Sequence, residues 1–193
     1  MNTERVIHLR PGHTALFGYG SLLSLPSLEK TLGRPYTGPL LSSRLGGWRR
    51  TWDAALPNTT VYAETPQGRM YPKLILYLNV RRRSGSMTNG IVFVVDAAAL
   101  AAYDRREWVY ERVNVTDNLD VRIEGGQAFA YVCRAEYCHA AGRRRTEAAV
   151  RASYVKIVES GLATLGANFR KEYERWSDPL PKHLVITDFV EHT

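Results

Sequence analysis

The stretch that decides the fold is Ala15-Leu16-Phe17-Gly18-Tyr19-Gly20-Ser21-Leu22-Leu23. An apolar run enters it, two glycines and a serine lie in its middle, and a helical pattern follows. This order predicts a strand that ends in a tight turn before a helix. Gly20 lacks a Cβ, so the backbone can turn there and a ligand can approach closely. Successive amides at such a turn can bind an anion such as a carboxylate. The turn is therefore either a ligand-binding element or an ordinary corner between strand and helix.

Three common motifs do not fit this turn. The dinucleotide fingerprint G-x-G-x-x-G has Leu23 where its third glycine belongs, and no Gly-Lys-Ser/Thr of a phosphate-binding loop is present. A nucleophile elbow needs glycine two residues on either side of its serine, but Tyr19 and Leu23 hold those positions around Ser21. The turn is therefore not predicted to bind a dinucleotide, to form a P-loop or to carry a serine nucleophile.

The remaining patterns predict a single α+β domain over residues 1–193. A chain of this length with 45% hydrophobic residues can bury a sizeable core. The predicted helices cover residues 25–32, 97–106 and 146–165, with a further piece ending near 176. The predicted strands cover residues 40–55, 60–63, 73–80, 90–95, 110–116, 127–133 and 184–190, with a loop over 81–89. Strands outnumber helices and do not alternate with them, which favours a curled sheet or barrel.

Local signals mark where some of these elements start, bend and stop. Ser24 and Asp96 are predicted to cap the first two helices, and Gly33 is predicted to end the first. Gly46-Gly47 is predicted to kink the strand over residues 40–55.

The chain is basic, with a formal net charge of +7 and an isoelectric point of about 9.6. Much of the excess lies in two clusters, Arg81-Arg82-Arg83 and Arg143-Arg144-Arg145. Neither cluster is interleaved with aromatic residues as in a stacking surface for nucleic acid. We interpret both as solvated loops and expect no nucleic-acid partner, although the charge alone leaves a nucleic-acid-binding protein as an alternative.

The sequence indicates a cytoplasmic protein. Residues 1–10 contain no apolar run typical of a signal peptide, and no apolar segment reaches the length that spans a membrane. Cys133 and Cys138, with the neighbouring His139, lack the paired spacing of a zinc site. We interpret the two cysteines as structural and expect no disulfide, no metal and no membrane partner. The sequence leaves the oligomeric state open.

A second informative segment surrounds Glu107, where the helix over residues 97–106 meets the next strand. Glu107 is followed by Trp108 and Tyr110. A carboxylate among large aromatic side chains is desolvated, which raises its pKa and suits it to proton transfer. The alternative is a solvated helix end, where charged residues are common.

These segments together resemble the γ-glutamylcyclotransferase-like superfamily. The family carries a Tyr-Gly-Ser turn after its first strand, as in residues 17–22, and a Leu-Asp-x-x-Glu segment before a valine-rich strand, as in residues 104–115. Residues 45–52 are similar to its second strand, and residues 154–161 resemble its late helix with a spaced tyrosine and glycine. The likeness covers most of the chain in the same order.

The resemblance implies a small mixed β-barrel with flanking helices and a pocket beside the turn. Glu107 matches the family's general acid/base. The matched substrate-binding residues are Tyr19, Gly20, Ser21, Leu22, Tyr110 and Tyr154. The chain departs from the family pattern at Leu22, at Tyr103, at Trp108 and in the short spacing from Glu107 to Tyr110.

The resemblance also implies the reaction. The α-amine of a γ-glutamyl compound attacks its own γ-carbonyl, which releases 5-oxoproline and an amine without metal or cofactor. Because the reaction is intramolecular, holding the folded conformer is a large part of catalysis. The expected substrate is a small γ-glutamyl amine, dipeptide or glutathione-like compound. The alternative is a binding protein that uses the same pocket without turnover, which the tryptophan at position 108 and the short spacing favour.

Overall fold

The computed structural model describes residues 5–139 and 144–191. Its four α-helices are α1 (Leu25–Leu32), α2 (Ala97–Arg106), α3 (Ala152–Leu165) and α4 (Ala167–Trp176). Its strands are β1 (Val6–His8), β2 (His13–Gly18), β3 (Leu40–Pro57), β4 (Val61–Thr65), β5 (Gly68–Met70), β6 (Leu74–Asp96), β7 (Tyr110–Asn114), β8 (Arg122–Glu124), β9 (Ala128–Cys133), β10 (Ala148–Arg151), β11 (Val185–Ile186) and β12 (Phe189–Val190). Within these residues no helix has the length and apolar character needed to cross a bilayer.

The strands form one large mixed sheet and two small ones, which confirms the α+β class. The large sheet has the order β11-β10-β6-β2-β9-β7, with β3 also paired to β6. Strand β2 lies between β6, which is antiparallel to it, and β9, which is parallel. In residues 5–139 and 144–191 no pairing joins β7 to β11, so hydrogen bonds leave this path open rather than closed into the expected barrel. The small sheets pair β1 with β8, and β12 with β4 and β5.

The segment predicted as a loop over residues 81–89 is part of β6, so that prediction was wrong. Strand β6 continues through this segment and pairs with β3 on both sides of a register shift, from Trp48 opposite Arg82 to Gly46 opposite Met87. The extra residues form a bulge in which Gly85 has a φ of +71°. Residues 81–85 are all exposed, so both faces of the strand meet solvent here. Residues 81–89 thus have the polar composition of a loop although they form part of a strand.

The first basic cluster lies in this strand rather than on a loop, and two of its arginines have side-chain contacts there. Arg81 pairs with Asp53, and the guanidinium of Arg82 lies 4.7 Å from the ring centre of Trp48. In the second cluster Arg143 lies outside the described residues, and Arg145 Nε donates to the backbone oxygen of His183 at 2.7 Å.

The helix predicted over residues 146–165 begins at Ala152, and its first part is strand β10. Ala149 and Val150 are buried between β6 and β11 instead of on a helix face. The start of α3 is fixed by Asp188, which accepts from the backbone nitrogen and from Oγ of Ser153 at 2.8 and 2.6 Å. A capping carboxylate from another part of the chain leaves no local signal, so the apolar run was read as helix. Strand β1, in the polar segment before residue 12, was likewise missed.

Other local predictions are confirmed. Gly33 ends α1 with a left-handed φ of 66°, and Asp96 caps α2 by accepting from the backbone nitrogen of Ala99 at 2.8 Å. Strand β3 is irregular between Gly46 and Trp48, where the kink was expected. The buried core lies around β2, β3 and β6, so the residues that follow Gly18 are anchored by a strand packed in the core.

Candidate active site

A cavity of about 410 Å³ lies where β2 ends, and the predicted site residues all line it. They come from the turn after β2, from the junction of α2 and β7, and from the start of α3. These residues are Tyr19, Gly20, Ser21, Leu22, Glu107, Tyr110 and Tyr154. Segments that are far apart in sequence therefore meet in one place.

The turn itself is a short 3₁₀ turn, Ser21–Leu23, held by backbone bonds from Leu23 N to Gly20 O and from Ser24 N to Ser21 O at 3.0 and 3.2 Å. The first amides of a helical turn have no partner within it, so those of Ser21 and Leu22 can donate to a ligand. A Cβ on Gly20 would lie 3.0 Å from the Tyr154 hydroxyl. Glycine here therefore lets Tyr154 approach the turn closely.

Buried hydrogen bonds fix the peptide before this turn. The Tyr19 hydroxyl donates to the backbone oxygen of Tyr131 at 2.6 Å, and Arg50 Nε donates to the backbone oxygen of Tyr19 at 2.8 Å. Arg50 is fully buried and also donates to Ser177 Oγ at 2.7 Å. Burial lowers the pKa of Arg50 to about 10, so the side chain stays charged at neutral pH. In the described part of the chain no carboxylate pairs with it.

Glu107 is placed by the end of α2 and the start of β7. Its backbone nitrogen donates to Tyr103 O, and its backbone oxygen accepts from Tyr110 N, both at 2.8 Å. Its side chain is 16% exposed. Burial raises the pKa of Glu107, and the positive charge of Arg106 opposes this rise. The pKa direction is the one that the sequence predicted.

The cause of that burial differs from the expected one. Trp108 is half-exposed, packs edge-on against Tyr137 at 5.3 Å between ring centres, and is not part of the cavity lining. It therefore does not crowd the entrance. Tyr110, by contrast, lines the cavity and donates from its hydroxyl to Leu78 O at 2.9 Å.

Three tyrosines of the cavity are neutral hydrogen-bonding groups. Burial raises the pKa of Tyr19, Tyr110 and Tyr154 above the ordinary value. The ring of Tyr154 also packs edge-on against Tyr77 at 4.9 Å and Trp52 at 6.1 Å. These contacts hold the ring in place, and its hydroxyl can still donate to a ligand.

Sequence reasoning missed several polar residues of the lining. Arg106 precedes Glu107, and Ser27 and Lys30 lie three residues apart on one face of α1. Arg151 and Ser153 come from the junction of β10 and α3, where Arg151 Nε pairs with Asp188 Oδ2 at 2.8 Å. The adjacency of Arg106 to Glu107 was the one available signal, since the other residues reach the cavity only through the tertiary fold. Across residues 5–139 and 144–191, no group of three or more His, Cys, Asp or Glu side chains could hold a metal ion.

Comparison with known proteins gives likenesses of fold. The uncharacterized human protein loc79017 matches with a TM-score of 0.61 and 15% identity, over 88% of this chain and 90% of that chain. A γ-glutamyl cyclotransferase matches with a TM-score of 0.58 and 15% identity over the same shares. YkqA from Bacillus subtilis matches with a TM-score of 0.54 and 16% identity, over 84% of this chain and 53% of that chain. No protein-family model and no curated protein matches the sequence. The chain therefore has the fold of γ-glutamyl cyclotransferase.

Proposed function

We propose that this protein is a γ-glutamylcyclotransferase-type enzyme that converts the γ-glutamyl group of a small substrate into 5-oxoproline and releases an amine. The observation that carries the proposal is the meeting of the turn at residues 19–22 with the buried carboxylate of Glu107 in one cavity. The fold shared with a γ-glutamyl cyclotransferase supports it. The substrate class is a γ-glutamyl amine, dipeptide or glutathione-like compound, and the proposed location is the cytoplasm.

The proposed reaction needs one group that first accepts and then donates a proton. The substrate's α-amine attacks its γ-carbonyl carbon, which forms the new C–N bond of a five-membered ring, and Glu107 accepts the proton that the amine loses. The tetrahedral intermediate then collapses, the original amide C–N bond breaks, and Glu107 returns the proton to the leaving nitrogen. Burial raises the pKa of Glu107, which brings its acid and base forms closer in free energy at neutral pH and so favours both steps.

The turn and the tyrosines supply the polar contacts. In the proposal, the amides of Ser21 and Leu22 bind the substrate's α-carboxylate or the oxyanion that develops on the γ-carbonyl. The neutral hydroxyls of Tyr110 and Tyr154 orient the folded substrate beside them. Because Arg50 fixes the carbonyl of Tyr19, these amides are held in place before a ligand arrives.

The second candidate is a small-molecule-binding protein on the same cavity, without turnover. The ion pair between Arg106 Nε and Glu107 Oε1, at 3.1 Å, favours it. A carboxylate held by a cation is a weaker base, and its charge can serve to bind a substrate ammonium group.

The test is release of 5-oxoproline from a panel of γ-glutamyl amines, γ-glutamyl dipeptides and glutathione. Glu107→Gln keeps the shape of the side chain but cannot carry the proton, so its turnover is expected to fall about 10²–10⁴-fold. The matched control is Glu111→Gln, an exposed glutamate on β7, which should match the wild type. Equal turnover by Glu107→Gln would remove Glu107 from the mechanism. Binding of panel compounds with no release by the wild type would favour the binding protein.

A further inference from the structure

The side chain of Arg106 contacts three elements around the cavity. Its Nε lies 3.1 Å from Glu107 Oε1, and its Nη2 donates to Ser21 Oγ at 2.8 Å and to Ser27 Oγ at 3.1 Å. The carboxylate, the turn and helix α1 are therefore joined through one guanidinium.

A second set of bonds holds this guanidinium in position. Its Nη1 donates to the backbone oxygen of Ser27 at 2.9 Å and to Thr31 Oγ1 at 2.5 Å. The side chain is 26% exposed, so these contacts are largely shielded from solvent. Arginine has five N–H donors in a rigid planar fork, whereas lysine has three donors on a single nitrogen. The geometry therefore requires arginine rather than any cation.

We propose that Arg106 is a positioning residue that holds the carboxylate of Glu107 by an ion pair and the turn at Ser21 by a hydrogen bond, so that one guanidinium sets the distance between them. This inference rests on the proposed function of the cavity. A general acid/base must lie within hydrogen-bond reach of the proton that it moves, and a misplacement of about 1 Å costs about 10²-fold in rate. The substrate's folded conformer is bound by the turn in this scheme, so the distance from turn to carboxylate determines whether the proton can be transferred.

The charge of Arg106 also acts on the ionisation of Glu107. Within the described residues, the other titratable groups that interact with Glu107 are tyrosines from the turn, α2, β7, β9 and α3. They are Tyr19, Tyr103, Tyr110, Tyr131 and Tyr154. Burial raises the pKa of each of them, so they are uncharged near neutral pH. Lys30 and Arg151 also line the cavity, but Arg106 is the cation that pairs with Glu107 and favours its charged form against burial.

The test compares Arg106→Gln and Arg106→Lys with the control Arg105→Gln, an exposed arginine at the same helix end. A ¹³C NMR titration of the Glu107 carboxyl reports its ionisation without any need for turnover. Arg106→Gln should shift this titration to higher pH by about one unit, a tenfold change in the ionisation equilibrium. The acidic limb of the kcat/KM profile should move in the same direction, and Arg105→Gln should leave both unchanged.

Arg106→Lys separates positioning from charge. Lysine keeps the positive charge but cannot pair with Glu107 and also make the hydrogen bonds to Ser21 and α1, so the titration should return towards that of the wild type while kcat stays about 10–100-fold low. Full kcat in Arg106→Lys, or an unchanged titration in Arg106→Gln, would overturn the inference.

If Arg106→Gln does not fold, Thr31→Val serves as a second variant, because it removes one hydrogen-bond acceptor of the guanidinium. It should lower kcat with little change in KM, and unchanged kinetics would equally overturn the inference. Absence of 5-oxoproline release by the wild type would instead refute the proposed function, and the titration would still test the contact.

Discussion

Arg50→Lys is expected to destabilise the protein strongly, although it conserves the charge. Arg50 is fully buried, its guanidinium donates to Tyr19 O, Ser177 Oγ and Asn89 O, and it lies 4.0 Å from the ring centre of Tyr173. A lysine ammonium can reach about one of the three acceptors. Each hydrogen bond from a charged donor contributes about 1.5–3 kcal/mol, so losing two costs about 3–6 kcal/mol.

That loss is a large part of the stability of an ordinary domain, which is about 5–15 kcal/mol. For a chain of this length it corresponds to a fall in Tm of about 6–24 °C. Urea and thermal unfolding, followed by tryptophan fluorescence and circular dichroism, measure both quantities. The control is Arg82→Lys, because Arg82 is exposed and its stacking on Trp48 is retained in part by lysine. This control should change the free energy of unfolding by less than about 0.5 kcal/mol.

The result also bears on the cavity, because one of the three acceptors is the carbonyl that precedes the turn. In Arg50→Lys, ligand affinity should fall even under conditions where the variant is fully folded. A loss of stability below about 1 kcal/mol would refute the reasoning, since it would mean that the fork of Arg50 is not required.

Two further predictions concern pH and packing. The phenols of Tyr19, Tyr110 and Tyr154 have raised pKa values in the folded protein but ionise near pH 10 in the unfolded chain. Their contribution to stability is therefore complete below pH 10 and is lost as the pH rises above it. Thermal unfolding from pH 8 to 11, followed with phenolate absorbance, tests this, and ionisation of these phenols at pH 10 in the folded protein would contradict it. Gly161→Ala places a Cβ 2.6 Å from the backbone carbonyl carbon of Leu23, so α3 must move away from the turn. We expect the free energy of unfolding to fall by about 1–3 kcal/mol and ligand binding to weaken. A variant with wild-type stability and affinity would show that the helix has room to move.

The sequence was informative where a local signal decides the structure. Gly33 and Asp96 end and begin helices through contacts with residues a few positions away, and both act as predicted. The turn at Gly20 was likewise visible, because glycine in an apolar run is a local feature. The raised pKa of Glu107 was expected, but the neighbouring Trp108 does not cause it. The meeting of the turn and Glu107 in one cavity was predicted by resemblance and not by pattern.

The sequence was uninformative where contacts with residues distant in the chain determine the local structure. Polar residues 81–89 continue a strand because β3 lies beside them, and Ala149 and Val150 form a strand because β6 and β11 flank them. The start of α3 depends on Asp188, which comes more than thirty residues later. Arg106 gave no sign of its contacts with Ser21 and α1, since only the tertiary fold brings them together.

The walls of the cavity come from the first, middle and last thirds of the chain, at Tyr19, Glu107 and Tyr154. A fragment must span at least residues 17–157 to contain the whole lining, so a shorter one lacks part of the cavity wall. A ligand that binds there therefore binds the folded protein and not the unfolded chain, and mass action turns its affinity into resistance to unfolding. At a hundred times its dissociation constant, a ligand adds about 2.7 kcal/mol to that resistance. Compounds that occupy the cavity should thus raise the melting temperature, whether or not they are turned over.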